Sequence, residues 1–420
     1  MEDLPVEIIG KILSLLQSVQ DLAIASTTCK KWREAVRNHL HTLSFHSDYW
    51  PGSKSLSTRR LEVIITQMIL QTTGLENLYI FMDEVDAFSA SSVTAWLMHT
   101  KHTVVRLHYN VNTIPSINII EKCGRHKLEA LALANNPIDH IEPAYPKLSC
   151  LNYLSLCYVI ISKPDLNLLI SACPNLKRVS VVHPEFTGTD ETRAMEIRSS
   201  SLKEIFVDGV GKEDITLETD TLEILHLKDC SPEVFQLIGK GTLRVLKLEE
   251  VSAFELGIGD NTENLETVDL SGTAIVWQGF YHLLSKASML KRLRLWNVRI
   301  YDSDEEVVDL GSISTNFPQL SQLSLSLDLR RRAFHQNLQR SFQMENVTIL
   351  EVGWKENNVF FSEWVAKLVK ICPKLKKLTI FGFVSGAMTN TQCHTLSSFA
   401  TAFVELMRKY QHIQVGFVFA

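Results

Sequence analysis

The sequence predicts an α/β solenoid of about 13 repeats, with a parallel sheet on one side and helices on the other. Three short helices at the amino terminus precede the solenoid. Two observations predict this architecture. A six-residue apolar pattern recurs along most of the 420-residue chain, and residues 4–36 carry a separate pattern of helical spacing. Self-similarity at a fixed period of tens of residues is the sequence signature of repeat architectures.

The repeated pattern has an apolar residue, most often leucine, at its first, fourth and sixth positions. Its first positions span residues 75–375, which is 300 residues over twelve intervals and a mean period of 25. This period is typical of leucine-rich repeats, which use about 20–29 residues. Clear copies begin at Leu128, Leu151, Leu222, Leu243, Leu290, Leu320 and Leu375, and weaker ones at Leu75, Val104, Leu176, Leu202, Leu265 and Val347.

Within each copy, apolar residues alternate with polar ones, as on a strand with one buried face. The segments between copies include helical patterns at 164–172, 280–287 and 361–371. One unit is too small to bury its own core, so the units must stack on their neighbours. We expect a helix at 56–71 to cover the first repeat and a strand at 413–419 to close the array.

Residues 4–36 predict three short helices. Pro5 suits a first helical turn, Asp21 is a candidate cap for the second helix, and Thr27 or Thr28 for the third. A segment of this size cannot bury enough apolar surface to fold alone, so its apolar side chains must face the repeats or a partner. The first helix carries Ile8, Ile9, Ile12, Leu13 and Leu16 at helical spacing.

This segment resembles an F-box, on the strength of its Leu-Pro start at Leu4, the Asp21-Leu22 pair and the Trp32-Arg33 pair. Two departures are Ile8 where the family has leucine, and Thr28 where it often has a small aliphatic residue or serine. The resemblance divides the chain into an F-box (1–45), a capping helix region (46–74) and a solenoid with a closing strand (75–420). It places nine residues at or under the adaptor interface: Leu4, Pro5, Ile8, Ile9, Ile12, Leu13, Leu16, Leu22 and Trp32.

An F-box followed by leucine-rich repeats is similar to plant substrate receptors of Skp–cullin–F-box ubiquitin ligases. The resemblance implies a Skp-type adaptor as partner and, through it, cullin and RING subunits. It implies a protein substrate on the repeats, no catalytic residues and no cofactor. Two alternatives stay open: an F-box receptor that senses a small molecule, and a leucine-rich-repeat scaffold with no ligase role.

The outward positions of the strands predict where a substrate binds. Arg292, Arg294 and Trp296 fall on one strand with their side chains on one face. Arginine and tryptophan are common anchors of protein interfaces, and a pair of arginines could clamp a carboxylate or phosphate. The competing interpretation is an ordinary solvated surface. The candidate substrate-binding residues are Tyr79, Phe206, His226, Arg292, Arg294 and Trp296.

Charge, hydropathy and cysteine spacing exclude several classes of protein. The net charge of −5 is unlike that of a nucleic-acid binder, and no apolar run is long enough for a bilayer span. The acidic start lacks the pattern of a secretory signal, so we expect the nucleus or the cytoplasm. The eight cysteines are scattered and predict buried thiols, with no metal site. We also expect two charged loops, at 301–309 and 329–340, and a flexible loop in the insert at 184–200.

Overall fold

The computed structural model describes residues 4–16, 19–47, 57–83, 85–123, 127–138, 141, 148–188, 194–253, 255–258, 262–276, 280, 282, 284–300, 310–327, 342–354, 359–382 and 390–419. The chain forms two compact units, Met1–Gly209 and Val210–Ala420. The charged loops expected at 301–309 and 329–340 lie outside the described residues.

The first unit begins with three helices and continues as a parallel sheet. Its described helices are α1 (Val6–Leu13), α2 (Val19–Thr28), α3 (Lys30–His39), α4 (Thr58–Gln71), α5 (Ala90–Thr100), α6 (Ile119–Lys122) and α7 (Lys163–Ser171). Its main parallel strands, in spatial order, are β1 (Thr42–His46), β2 (Asn77–Phe81), β4 (Arg106–Asn110), β6 (Ala130–Ala134), β8 (Tyr153–Cys157), β10 (Arg178–Val182) and β13 (Glu204–Asp208).

Short strands follow several of these main strands. They are β3 (Phe88–Ser89), β5 (Thr113–Ile114), β7 (Pro137–Ile138), β9 (Ile160–Ser162), β11 (Glu185–Thr187) and β12 (Ala194–Arg198). The last two occupy the insert for which the sequence predicts a flexible loop. That expectation is wrong for β12, because Met195 and Ile197 are fully buried.

The second unit repeats this plan with longer strands toward its end. Its main parallel strands, in spatial order, are β15 (Ile224–Lys228), β17 (Val245–Glu249), β19 (Thr267–Ser271), β21 (Arg292–Trp296), β23 (Gln322–Leu327), β24 (Ile349–Trp354), β25 (Lys377–Gly382) and β26 (Gln414–Phe419). The outer strands are β14 (Asp214–Glu218), β16 (Val234–Ile238), β18 (Glu255–Gly257), β20 (Ala274–Ile275) and β22 (Arg299–Ile300). The described helices are α8 (Leu310–Asn316), α9 (Val359–Ile371) and α10 (Asn390–Lys409).

The predicted repeat is confirmed at every copy. Each of the thirteen copies gives a main strand that begins two residues after its first apolar position, from β2 after Leu75 to β25 after Leu375. The register aligns the apolar positions of neighbouring strands: Leu225 faces Leu246, and Leu246 faces Val268. These three side chains are fully buried. Within each unit, parallel strands thus place identical positions of successive copies in inward and outward rows.

The outer segments differ from the prediction in one region. Helices lie near two of the predicted places, as α7 and α9, and at the third the described residues 280, 282, 284 and 285 are helical. Helix α4 covers the place predicted at 56–71. Between Leu202 and Leu265, however, the segments after the main strands form the outer strands β14, β16 and β18. The copies there are only 20, 21 and 22 residues apart. A short period favours an extended outer segment because a strand spans more distance per residue than a helix.

A left-handed residue follows many of the main strands. These residues have φ between 43° and 54° without being glycine, although a left-handed conformation costs a non-glycine residue about 1–2 kcal/mol. Backbone hydrogen bonds offset the cost: the amide of Tyr158 donates to Val182 O (2.8 Å) and that of Glu250 to Ser271 O (2.7 Å). The set is Asn135, Tyr158, His183, Asp229, Glu250 and Asn297.

The inward rows set the stability of the solenoid, which leads to a first prediction. Leu225→Ala removes a fully buried side chain and should lower the free energy of unfolding by about 2–5 kcal/mol. Ile238→Ala is the matched control in the same unit, because half of the Ile238 side chain is exposed. Denaturant unfolding followed by circular dichroism measures both variants. Equal losses of stability would contradict the assignment of inward and outward faces.

Candidate functional site

The first candidate surface lies on α1, whose apolar side chains point in two directions. Ile9 and Leu13 are buried, whereas Ile8 and Ile12 are 45% and 43% exposed. Residues four apart share one face of a helix, so the buried pair and the exposed pair each form a stripe. Leu15 (78% exposed) and Leu16 (37% exposed) follow the helix and extend the apolar surface. The carbonyl of Pro5 accepts from the amides of Ile8 and Ile9, each at 3.1 Å, so Pro5 stands at the start of the helix.

The inner face of α1 packs on α3 through a glycine. A Cβ atom added at Gly10 would overlap the Cβ of His39, at the last residue of α3. Gly10 is buried, and its missing side chain lets the two helix backbones approach closely. Sequence reasoning missed this residue, although a glycine inside an apolar helix indicates either a packing contact or a weak helix.

The nine residues predicted for the adaptor surface fall into three groups. Ile9, Leu13 and Leu22 are buried beneath the surface, and Leu4 and Trp32 are half-buried. Pro5, Ile8, Ile12 and Leu16 are exposed. The prediction omitted two strongly exposed apolar side chains, Leu15 and Ile24 (58% exposed).

Two helix caps predicted here are wrong. Asp21 lies inside the first turn of α2 and does not cap it, because the helix begins at Val19. The residue before α3 is Cys29, while the hydroxyls of Thr27 and Thr28 donate back to the carbonyls of Ile24 and Ala25 at 2.7 Å each.

The same unit contains a groove of about 880 Å³. It lies among α2, α3 and α4, and both Ile24 and Leu70 (46% exposed) line it. Arg33 and Arg37 of α3 and Gln67 of α4 also line the groove. Exposed apolar side chains of α2 and α4 therefore share this groove.

The second candidate surface is the outward face of the strands. In the first unit, the two residues predicted to bind substrate, Tyr79 and Phe206, lie far apart on this face. The Tyr79 and His108 rings are in contact, with centroids 4.8 Å apart. Burial, aided by the charge of Arg106, lowers the pKa of His108, so this imidazole is held neutral beside the phenol. Phe206 occupies the same outward row, but five strand spacings from Tyr79, or about 24 Å. The structure does not bring Tyr79 and Phe206 together.

In the second unit, His226 belongs to a polar cluster. His226 Nε2 lies 3.6 Å from Glu249 Oε2, and Lys247 also pairs with Glu249. Partial burial works to raise the pKa of Glu249, but hydrogen bonds and the charges of Lys247 and His226 outweigh it and hold that pKa below its usual value. His226 is thus tied to its own neighbours, three strands away from Arg294.

Arg294 and Trp296 form a stacked pair on β21. The Arg294 guanidinium lies 5.0 Å from the Trp296 ring centroid, and its Nη1 lies 3.8 Å from Asp269 Oδ2. Arg292 is exposed and forms no ion pair with any residue that the structure describes. The two arginines therefore differ: one is already engaged, and one projects into solvent.

The indole of Trp296 reaches along the outward row to Phe381. Their ring centroids are 5.2 Å apart and the rings are nearly perpendicular, at 85°. A Cβ at Gly353 would lie 2.5 Å from two indole carbons, so glycine at this position makes room for the ring. Gly353 was missing from the predicted site. A glycine inside a strand, which often marks a close approach of another group, is the signal that could have found it.

The described residues contain no group of three or more His, Cys, Asp or Glu side chains that could hold a metal ion. Burial raises the pKa of the Cys173 and Cys372 thiols to about 12, which keeps both protonated and poor nucleophiles. None of the helices among the described residues is both long enough and apolar enough to cross a bilayer.

Comparisons with known proteins match both parts of the chain. A family model described as F-box-like matches residues 1–45. A second, described as the repeats of the FBD-associated F-box protein At5g56370, matches residues 121–276.

Among solved structures, a leucine-rich-repeat protein of Leptospira interrogans covers 93% of this chain and 93% of its own, with 12% identity and a TM-score of 0.35. An internalin of Listeria monocytogenes covers 99% of this chain and 94% of its own, with 15% identity and the same TM-score.

A relative of nearly equal length decides the family. The chain is 49% identical over 417 residues to the F-box/LRR-repeat protein At1g67190 of Arabidopsis thaliana. The aligned residues cover 99% of this chain and 99% of the relative. The resemblance predicted from the sequence is confirmed: this chain belongs to the F-box/leucine-rich-repeat proteins.

Proposed function

We propose that this chain is the substrate-recognition subunit of a Skp–cullin–F-box ubiquitin ligase. Its amino-terminal helices bind a Skp-type adaptor, and its outward strand face binds a protein substrate. The observation that carries the proposal is the exposed apolar stripe of α1, in which Ile8 and Ile12 leave nearly half of their side-chain surface in water. Contiguous exposed apolar surface on a folded protein is typical of an interaction site.

The proposal assigns two roles to the helices. Ile9 and Leu13 fix α1 on the rest of the unit, and Ile8 and Ile12 present the contact surface. Ile24 and Leu70, in the groove among α2, α3 and α4, provide a second exposed apolar area. A stable interface needs about 800 Å² on each partner, more than one stripe of a short helix offers, so the adaptor would cover both areas.

The chemistry of ubiquitin transfer belongs to other subunits in this proposal. The adaptor connects the chain to a cullin, and the cullin to a RING subunit that recruits the conjugating enzyme. The chain itself raises the effective concentration of substrate lysines near the reactive thioester. The proposed place of action is the nucleus or the cytoplasm.

A double substitution on the exposed stripe tests the adaptor surface. Ile8→Glu with Ile12→Glu should weaken binding to a Skp-type adaptor by about 100-fold or more, since each buried large side chain contributes about 1.5–3 kcal/mol. The melting temperature should stay close to that of the parent because both side chains are largely exposed. Titration calorimetry with the purified adaptor measures the change.

Ile238→Glu is the matched control, because Ile238 is equally exposed but lies on the outer strand β16 of the second unit. It should bind the adaptor as the parent does. Affinity purification of the parent and the double variant then sorts the partners: proteins lost are ligase subunits, and proteins kept are candidate substrates. Unchanged adaptor binding by the double variant would sink the proposal and favour a scaffold with no ligase role.

A substitution at Gly10 tests the same surface in a second way, because the packing of Gly10 on α3 holds α1 in position. Gly10→Val forces α1 away from His39 and should lower the free energy of unfolding by about 1–3 kcal/mol through overpacking. Adaptor binding should fall together with the melting temperature, unlike in the double variant, where only binding falls. A Gly10→Val chain of parental stability and parental affinity would show that the α1–α3 contact does not position the stripe.

A further inference from the structure

One outward row near the end of the second unit forms an apolar strip. Ser326, Gly353 and Phe381 are aligned on β23, β24 and β25, and Trp296 of β21 extends along this row until its ring meets Phe381. The missing side chain of Gly353 leaves space for the indole. Val418 of β26 is next in the row and is 45% exposed. We call Trp296, Gly353, Phe381 and Val418 the aromatic strip.

The aromatic strip is held in place and still accessible. Arg294 stacks on the Trp296 ring and is itself anchored by Asp269, while Phe381 meets the other end of the indole. Trp296 and Phe381 both remain half-exposed. A fixed aromatic surface loses little conformational entropy when a partner covers it, which makes such residues strong anchors.

Positive charge lies at the other end of the same strands. Arg292 and Lys377 are the first residues of β21 and β25 and are exposed, as is the neighbouring Lys376. None of the three forms an ion pair with a residue in the described parts of the chain. The chain as a whole has a net charge of −5, so this basic group stands out from its background.

Two acidic side chains stand on the neighbouring strands, β19 beside β21 and β24 beside β25. Asp269 pairs with Arg294, and Glu351 accepts a hydrogen bond of 2.8 Å from Ser324. The Ser324 hydroxyl is neutral, so Glu351 keeps its negative charge, but among the described residues the three cations Arg292, Lys376 and Lys377 outnumber it. In that part of the chain the net charge beside the aromatic strip is therefore basic, which fits an acidic partner.

The strand register gives the distances between the aromatic strip and the basic residues Arg292 and Lys377. Arg292 and Trp296 are four residues apart on one strand, which is about 13 Å at about 3.3 Å per residue. Arg292 and Lys377 occupy one register row with Gln322 and Ile349 between them, which places them about 14 Å apart. An extended peptide covers the distance from the strip to the basic row with about four residues.

We propose that this face binds an acidic segment of the protein substrate. A bulky apolar side chain of the segment packs on Trp296 and Phe381, and acidic residues about four positions away face Arg292 and Lys377. This inference rests on the proposed function, because it specifies which substrate the outward strand face selects. An acidic peptide fits better than a nucleic acid, because the basic group is small and the protein as a whole would repel a long polyanion.

Binding of designed peptides to the full chain tests the inference. Four labelled probes are compared by fluorescence anisotropy: a Gly/Ser peptide with one Phe and three Glu about four residues away, the same peptide with Phe→Ala, the same with all Glu→Lys, and a short single-stranded DNA. We expect the Phe/Glu peptide to bind at least about tenfold more tightly than the other three. Raising the salt concentration should weaken its binding, since exposed charges are screened.

Substitutions assign the two parts of the site. Trp296→Ala should weaken binding of the Phe/Glu peptide about tenfold or more, and so should Gly353→Val, which displaces the indole without removing it. Arg292→Glu with Lys377→Glu should have a similar effect and should abolish the salt dependence. Lys212→Glu with Lys240→Glu, which reverses two exposed charges elsewhere in the unit, should bind as the parent does. The charge reversals lie on the surface and keep the test valid if Trp296→Ala is poorly folded.

Three outcomes overturn the inference: no preference for the Phe/Glu peptide, equal binding by the parent and the site variants, or tighter binding of the DNA that is lost in the same variants. Adaptor binding is measured on the same protein samples to separate the two proposals. Peptide binding without adaptor binding contradicts the proposed function and leaves the site intact. Adaptor binding without peptide selectivity contradicts the site alone.

Discussion

The structure depends on one constraint: no single repeat can bury its own leucines. A unit of about 25 residues has too little apolar surface to fold alone, so each repeat must place the first, fourth and sixth residues of its apolar pattern against those of its neighbours. The alignment of Leu225, Leu246 and Val268 shows how this works, because parallel pairing puts one fully buried side chain directly beside the next. The alternation that sends these side chains inward sends the others outward, and the outward ones are released from any role in the core.

The amino-terminal helices meet the same constraint in another way. Three short helices bury Ile9, Leu13, Leu22 and Val36, yet several other apolar side chains of the same segment stay in water. A segment that only capped the sheet would gain stability by replacing these with polar residues. Under the proposed function a Skp-type adaptor covers these side chains, in line with the family to which the chain belongs.

The sequence predicted the main strands well and their surroundings less well. All thirteen strand starts follow from the leucine pattern because burial of one strand face dictates it. The strand β1 escaped prediction, although Leu40, Leu43 and Phe45 repeat the pattern and are buried, because phenylalanine replaces the last leucine beside the F-box. The outer strands β14, β16 and β18 escaped because their form depends on repeat length and not on apolar spacing.

The sequence likewise predicted which side chains of the candidate site point outward, but not which of them contact one another. That Trp296 and Arg294 point outward follows from alternation along one strand. That the indole lies over Gly353 and against Phe381 depends on side-chain conformations across strands distant in the sequence. The pairing of Arg294 with Asp269 likewise depends on which neighbour the guanidinium turns toward. Helix ends were missed at Val19 and Cys29 because several polar residues compete for one cap.

The left-handed residues that close the main strands have a consequence for divergence within the family. Each of them, such as Tyr158 or Glu250, hydrogen-bonds to the next strand and so fixes where its own strand stops. An inserted residue before this turn would reverse the two faces of the strand, whereas an insertion after it only lengthens an outer segment. Related chains should therefore differ in length outside the sheet and by point replacement on its outward rows, so that recognition can diverge while the scaffold is inherited unchanged.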